Sequence, residues 1–331
     1  MLIKKIKIVL INLFLFLLLL IPLELIVRGF FPFYVADSTE IYHYNQETGY
    51  GLKPNFKYSK TSDYYQEYVS NNLGTANLDD FSKEDSLFIF TVGDSFTYGC
   101  GNGIDESYPF LLQLFLQQES MGTGNENLLN VVNLGVNGYG GKQNLKRIEE
   151  YVKKIQKPKW VFYLGCDNDY QDDALFDIGY KHKHLVEGNP YWGNFYKPIK
   201  FLFQDLHIGR YLKNGVSSIR RKKVLATNKV GEVTVATKEE EVLSSLMRYC
   251  KENNINLIMS WVVEGSNSKS YEWLKEWAFK NQVSFADWLP KVKHEILENP
   301  NLTINNSYSA GHYRTWVNHL IAKSYLEEMK K

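Results

Sequence analysis

Gly93-Asp94-Ser95-Phe96-Thr97-Tyr98-Gly99 is the stretch in which residue types and order carry the sharpest chemistry. It directly follows the continuous apolar run Leu87-Phe-Ile-Phe-Thr-Val92. Glycines on both sides of a serine permit a tight strand-to-helix turn that projects the hydroxyl from a sheet edge. A serine so placed is a nucleophile when a general base is near. The alternative is a plain turn with Ser95 as a helix cap; the full string favours catalysis. His182-x-His184, near Asp172, Asp173 and Asp177, offers metal donors without a helical His spacing, so it reads as a solvated loop and no metal is expected. The run Arg220-Arg221-Lys222-Lys223 could meet anionic headgroups or an acidic polysaccharide, and is otherwise a solvated face.

Around Ser95 the chain alternates strands and helices. Strand patterns run over Leu87–Val92, Leu128–Leu134, Trp160–Leu164, Ile255–Val263 and Val283–Asp287. Helical patterns run over Tyr108–Gln118, Lys142–Ile155, Glu239–Glu252, Glu272–Lys280 and Trp316–Met329. Short apolar strands between helices imply a parallel sheet covered on both faces, with ligands at the carboxyl ends of its strands. The expected fold is therefore α/β, a three-layer sandwich around a central parallel sheet. Residues 29–85 are aromatic and polar without a sustained period and read as a stalk or lead-in, and residues 174–237 read as an insertion in the domain 86–331.

One transmembrane helix is expected before all of this. From Ile8 to Val27 only Asn12, Pro22 and Glu24 are not apolar. Twenty helical residues reach about 30 Å, the thickness of a hydrocarbon core. Lys4, Lys5 and Lys7 precede the run and Arg28 follows it, which predicts a cytoplasmic N-terminus and an exported remainder. Residues 1–28 are thus a cytoplasmic stub and anchor, and the expected location is the bacterial cytoplasmic membrane, single-pass, with the domain on the periplasmic side. The rival reading, a cleaved signal peptide, wants a shorter apolar core and an A-x-A-like site, which does not follow here.

Composition narrows the partners. Lys and Arg number 38 against 37 Asp and Glu, so there is no broad basic field for nucleic acid. Three cysteines without CxxC spacing give neither a disulfide framework nor a zinc site. Aromatic residues make up 15%, enough for large cores and also for surfaces that stack on sugars.

The GDSFTYG string resembles the first block of the SGNH, or GDSL, hydrolase superfamily, whose other blocks can be sought at the proper strand ends. Asn133-Leu-Gly-Val-Asn-Gly138-Tyr-Gly140 resembles the glycine block, which implies that the Gly138 N–H serves an oxyanion hole together with the Ser95 N–H. Gly165-Cys-Asp-Asn168-Asp169 resembles the asparagine block with one residue too many, and implies Asn168 as a further donor; the alternative is an Asx turn. Gly311-His312-Tyr313, with Asn318 and Ala322 six and ten residues after His312, resembles the last block and implies His312 as the base. His319 reads as a structural or surface histidine. The family's acid is missing, because Ser309 and Ala310 stand where it belongs and neither can carry the charge that supports an imidazolium. A Ser–His dyad with Ser309 or a carbonyl orienting His312 is expected, with the remote Asp287 as another partner to consider.

The lead-in pieces Tyr50–Asn55 and Val69–Gly74 look like those of bacterial SGNH proteins that follow an N-terminal anchor. That resemblance implies a serine esterase or O-acyltransferase working on acyl, chiefly acetyl, esters of a cell-surface glycan. It implies no cofactor. It implies an acylated carbohydrate or other small ester as substrate, the membrane through the N-terminal helix, and room for a membrane acyl-donor protein as partner. The competing expectation is a catalytically silent glycan-binding or assembly protein on the same scaffold, for which the missing acid speaks.

Overall fold

The computed structural model describes residues 2–30, 41–61, 65–82, 87–123, 129–179, 206–227, 235–263, 269–306 and 311–331. Its centre is a five-stranded parallel sheet of β5 (Leu87–Gly93), β6 (Leu129–Asn133), β7 (Trp160–Gly165), β8 (Asn256–Trp261) and β9 (Ser284–Phe285), in the order β6-β5-β7-β8-β9. From β5 the chain adds β6 on one side and β7 on the other. The order therefore reverses at the carboxyl end of β5, where a crevice opens. The register puts the strand ends level, with Thr91 beside Asn133, Gly93 beside Leu164 and Gly165 beside Trp261.

Alternation along β7 shows how the layers form. Phe162 points to one face and stacks 4.7 Å from Tyr325 of helix α10 (Thr315–Met329), which packs on α3 (Tyr108–Thr123). Tyr163 points to the other face, where α4 (Gly141–Lys154) packs with α5 (Asp169–Asp177) and α7 (Val235–Glu252), and its hydroxyl meets Asp169 there. Both rings are fully buried, as a strand covered on two faces requires. Helix α8 (Lys269–Lys280) packs on the β8–β9 edge, and α9 (Leu289–Glu298) packs on α10. The three-layer α/β expectation holds.

Three local readings need correction. A stalk is not what the described part of residues 29–85 forms. It makes two antiparallel hairpins, β1 (Tyr42–Asn45) with β2 (Gly49–Leu52) and β3 (Lys57–Thr61) with β4 (Tyr65–Val69). Ile41, Tyr42, Tyr50, Leu52, Tyr68 and Ala76 build a second core with Tyr98, Val136 and Tyr139 of the loops beyond β5 and β6. The aromatics of this segment lacked a period because they pack on distant loops. Second, the segment read as an insertion, 174–237, overlaps two helices of the domain and holds a third: α5 runs to Asp177, α7 starts at Val235, and between them lies α6 (His207–Thr227). Third, α9 lies after the β9 strand, in a stretch for which no helix was expected.

The first helix, α1 (Leu2–Phe30), is the one helix among the described residues long and apolar enough to cross a membrane. Most of its described apolar side chains from Ile6 to Phe30 are exposed, unlike those of a core helix, with Leu20 and Val27 half-buried.

Candidate active site

Ser95 opens the short helix α2 (Ser95–Tyr98) at the carboxyl end of β5, where the expected turn forms. The Asp94 carboxylate caps it by accepting the Phe96 N–H at 2.9 Å. A side chain at Gly93 would run into the Leu164 carbonyl at 2.5 Å, so this close strand-to-turn approach needs glycine. The serine hydroxyl lies 2.7 Å from His312 Nε2 and 3.4 Å from Asp94 Oδ2. Residues 217 apart in the chain thus meet at the strand ends.

His312 sits on a loop pinned to the nucleophile loop. Its carbonyl accepts the Asn306 N–H at 2.8 Å, while the Asn306 amide donates to the Gly101 carbonyl at 3.2 Å. Asn102 donates to the Tyr313 carbonyl at 2.7 Å, and the Tyr313 hydroxyl exchanges hydrogen bonds with the Val263 backbone at the end of β8. Phe96, the residue after the serine, places its ring 4.8 Å from both the His312 and the Tyr313 rings. The Phe96 ring bears on the imidazole in a tilted contact, and these hydrogen bonds hold its loop. Ser309, the expected orienter, lies outside the described residues, as do His182 and His184. Asp287, the remote candidate, is taken by the Tyr271 hydroxyl at 2.7 Å and the Lys275 ammonium at 2.5 Å. His319 is exposed and packs against Phe115, in line with a surface role, while Asn318 donates to the Glu106 carbonyl at 3.0 Å below the nucleophile turn.

Gly138 lies in a turn beyond β6 with φ of +73°, a left-handed conformation that suits glycine. Its loop is held from two sides. Asn133 donates to the Thr97 carbonyl at 3.0 Å and accepts the Gly135 N–H at 3.0 Å. On the far side, the Tyr50 hydroxyl of β2 donates to the Asn137 carbonyl at 2.9 Å, and Tyr139 reaches back to Thr48 and the Tyr50 carbonyl. The lead-in thus clamps the glycine block, a function that sequence reading missed.

Asn168 caps α5 at the end of β7. The extra residue of its block is absorbed in a turn, in which the Asp169 N–H donates to the Cys166 carbonyl at 3.0 Å and Asp167 accepts the Trp261 indole N–H at 2.8 Å. The Asn168 amide donates to Asp172 at 2.8 Å, which fixes which way the amide faces. Below it lies a buried set of carboxyls. Burial, then the charges of Glu239 and Asp94, pushes Asp169 well above the carboxylate range. Burial likewise raises Asp173 to about 7 and Glu239 to about 8. Near neutral pH these groups carry protons much of the time, which limits the negative charge beside the Asn168 turn.

Residues 89–185 match the model of the GDSL-like lipase/acylhydrolase family. No curated protein matches the chain. Solved structures to which the chain is similar include a lipolytic protein of the G-D-S-L family from Desulfitobacterium hafniense, 15% identical, with 73% of this chain and 99% of that chain covered at a TM-score of 0.43. A catalytic mutant of an acetylxylan esterase from Geobacillus stearothermophilus is 17% identical over 74% of this chain and 95% of that chain, with a TM-score of 0.43. Ser95 stands inside the matched region, and His312 comes from outside it.

Proposed function

We propose that this protein is a membrane-anchored, extracytoplasmic serine esterase or O-acyltransferase acting on acetyl or related acyl esters of a cell-surface glycan. The single observation that carries the chemistry is the 2.7 Å contact between Ser95 Oγ and His312 Nε2. With its proton on Nδ1, the imidazole accepts the serine hydroxyl and acts as its base. Ser95 Oγ adds to the ester carbonyl carbon as His312 takes its proton. The Ser95 and Gly138 N–H groups and the Asn168 amide are the donors assigned to the resulting oxyanion, one such donor being worth about 3–4 kcal/mol of barrier. The carbonyl re-forms, the C–O bond to the alcohol breaks, and His312 returns the proton to the leaving oxygen. Water or a sugar hydroxyl then gives its proton to His312, attacks the acyl-enzyme and releases Ser95. Water completes an esterase cycle; a sugar completes an acyl transfer.

The proposed organisation keeps residues 1–28 as anchor, 29–85 as lead-in and 86–331 as the hydrolase-like domain. Supporting the anchor reading, Glu24 of α1 hydrogen-bonds to the start of α6, so the helix is engaged with the rest of the chain. The glycan reading rests on the aromatic richness of the chain and on its lead-in motifs. A fluorophosphonate probe applied to the full-length protein tests the whole proposal. Labelling that vanishes in Ser95→Ala supports it, and an unlabelled wild type favours the silent scaffold.

A further inference from the structure

Glu24 is the one acid in an otherwise apolar stretch, a costly residue in a membrane-spanning helix. Its carboxylate accepts the N–H groups of His207 and Ile208 at 2.8 and 3.1 Å, the first turn of α6. These are donors that a helix start leaves unpaired. Arg28 and the His207 ring lie 3.2 and 3.3 Å from the same carboxylate. Leu20, Glu24 and Val27, on one face of α1, are half-buried at this crossing. The crossing lies in the last three turns of α1, on the side predicted to leave the membrane outward.

Past its buried first turn, the described side chains of α6 are exposed. Leu212, Val216 and Ile219 follow one another at helical spacing on one face and are 60%, 56% and 69% exposed. The segment 207–227 also contains Arg210, Lys213, Arg220, Arg221, Lys222 and Lys223 and no acid. An apolar stripe on a basic, acid-free helix is the pattern of helices that lie in a membrane interface. A helix tied by its first turn to the outer end of a spanning helix has the bilayer surface as its nearest neighbour.

We propose that α6 lies on the surface of an anionic phospholipid bilayer, its Leu212–Val216–Ile219 face in the headgroup region, beside the point where α1 emerges. This rests on reading α1 as a retained anchor. The pairing through Glu24 would fix the catalytic domain against the membrane at two places, so that substrate is met at a set height and angle.

The test uses the full-length protein in nanodiscs of phosphatidylcholine with phosphatidylglycerol, or of phosphatidylcholine alone. The three native cysteines are buried, so a bimane label can be directed to introduced ones. Labels at Leu15→Cys, Ile219→Cys and Ser218→Cys are read with lipids carrying a quencher deep in the acyl chain or near the headgroup. Position 15 should be quenched by the deep probe and position 219 by the shallow one, with position 218 less affected. Quenching at 219 should weaken without phosphatidylglycerol, and the docking equilibrium should loosen about fivefold for each of Lys222→Ala and Lys223→Ala. Quenching at 15 without quenching at 219 overturns this proposal and leaves the anchor intact. No quenching at 15 overturns the anchor reading and this proposal with it. A label at 219 that answers to an added acidic polysaccharide and to neither lipid mixture also overturns it.

Discussion

Phe96→Leu is the substitution that bears most directly on how His312 works without the family's acid. The Phe96 ring lies 4.8 Å from the imidazole and 4.8 Å from the ring of Tyr313, the next residue. An aromatic contact of this kind is worth about 0.5–1.5 kcal/mol beyond the area it buries. One contact bears on the imidazole and the other on the next residue of its loop, about 1–3 kcal/mol together. Leucine keeps most of the apolar volume and removes both ring contacts. If that energy is what keeps Nε2 on the serine hydroxyl, kcat should fall about 10-fold to 100-fold, since 1.4 kcal/mol is a factor of ten. KM for an aryl acetate should change little, because the ring touches the base and not the bound ester. The assay is steady-state hydrolysis by the full-length protein, with thermal unfolding recorded alongside to separate misalignment from loss of fold. A variant that melts normally and keeps kcat within about twofold would refute the reasoning. Something other than these contacts would then be orienting His312.

Asn168→Ala should lower kcat by about 10²–10³ with little effect on KM, and unchanged turnover would remove Asn168 from the donors. Ser309→Asp places a carboxylate three residues before His312, and steady-state kinetics should show faster turnover. Loss of the aspartate in a well-studied triad costs about 10⁴, so even partial restoration is measurable. Asp173 is held up to about 7 by burial, so the unfolded chain ionises first as pH rises from about 4. The folded state therefore loses stability between about pH 4 and 7, by at most about 1.4 kcal/mol per pH unit. Asp173→Asn removes that loss and keeps an acceptor for the Lys142 N–H that now bonds to Asp173. Its melting temperature relative to wild type should climb across this window, and a flat difference would contradict the buried-acid reading.

Ser95 was legible because its signal is local: the glycines, the serine and the preceding apolar run occupy adjacent positions. The sheet was legible for the same reason, since a strand buried on both faces is a short apolar run wherever it occurs. His312 was found through a block motif and not through periodicity, and the structure brings it to Ser95 across 217 residues. What stayed hidden depends on long-range pairing. Nothing near Tyr50 says that its hydroxyl will reach Asn137, and Asn306 gives no local sign of bonding to Gly101. Helix α6 escaped notice because its apolar residues are diluted by a basic run, and Leu212, Val216 and Ile219 stay exposed. The buried state of Glu239 was invisible too, since an acid at a helical position reads as solvated until a neighbouring layer covers it.

The central claim is that Ser95 forms an acyl-enzyme with His312 as its base. Rapid acid quench during turnover of an aryl acetate, followed by peptide mass spectrometry, tests it directly. The peptide carrying Ser95 should gain the mass of one acetyl group, Ser95→Ala should gain none, and His312→Ala should acylate far more slowly. Turnover without acetyl on that peptide, or acetyl accumulating at full rate in His312→Ala, would contradict the account.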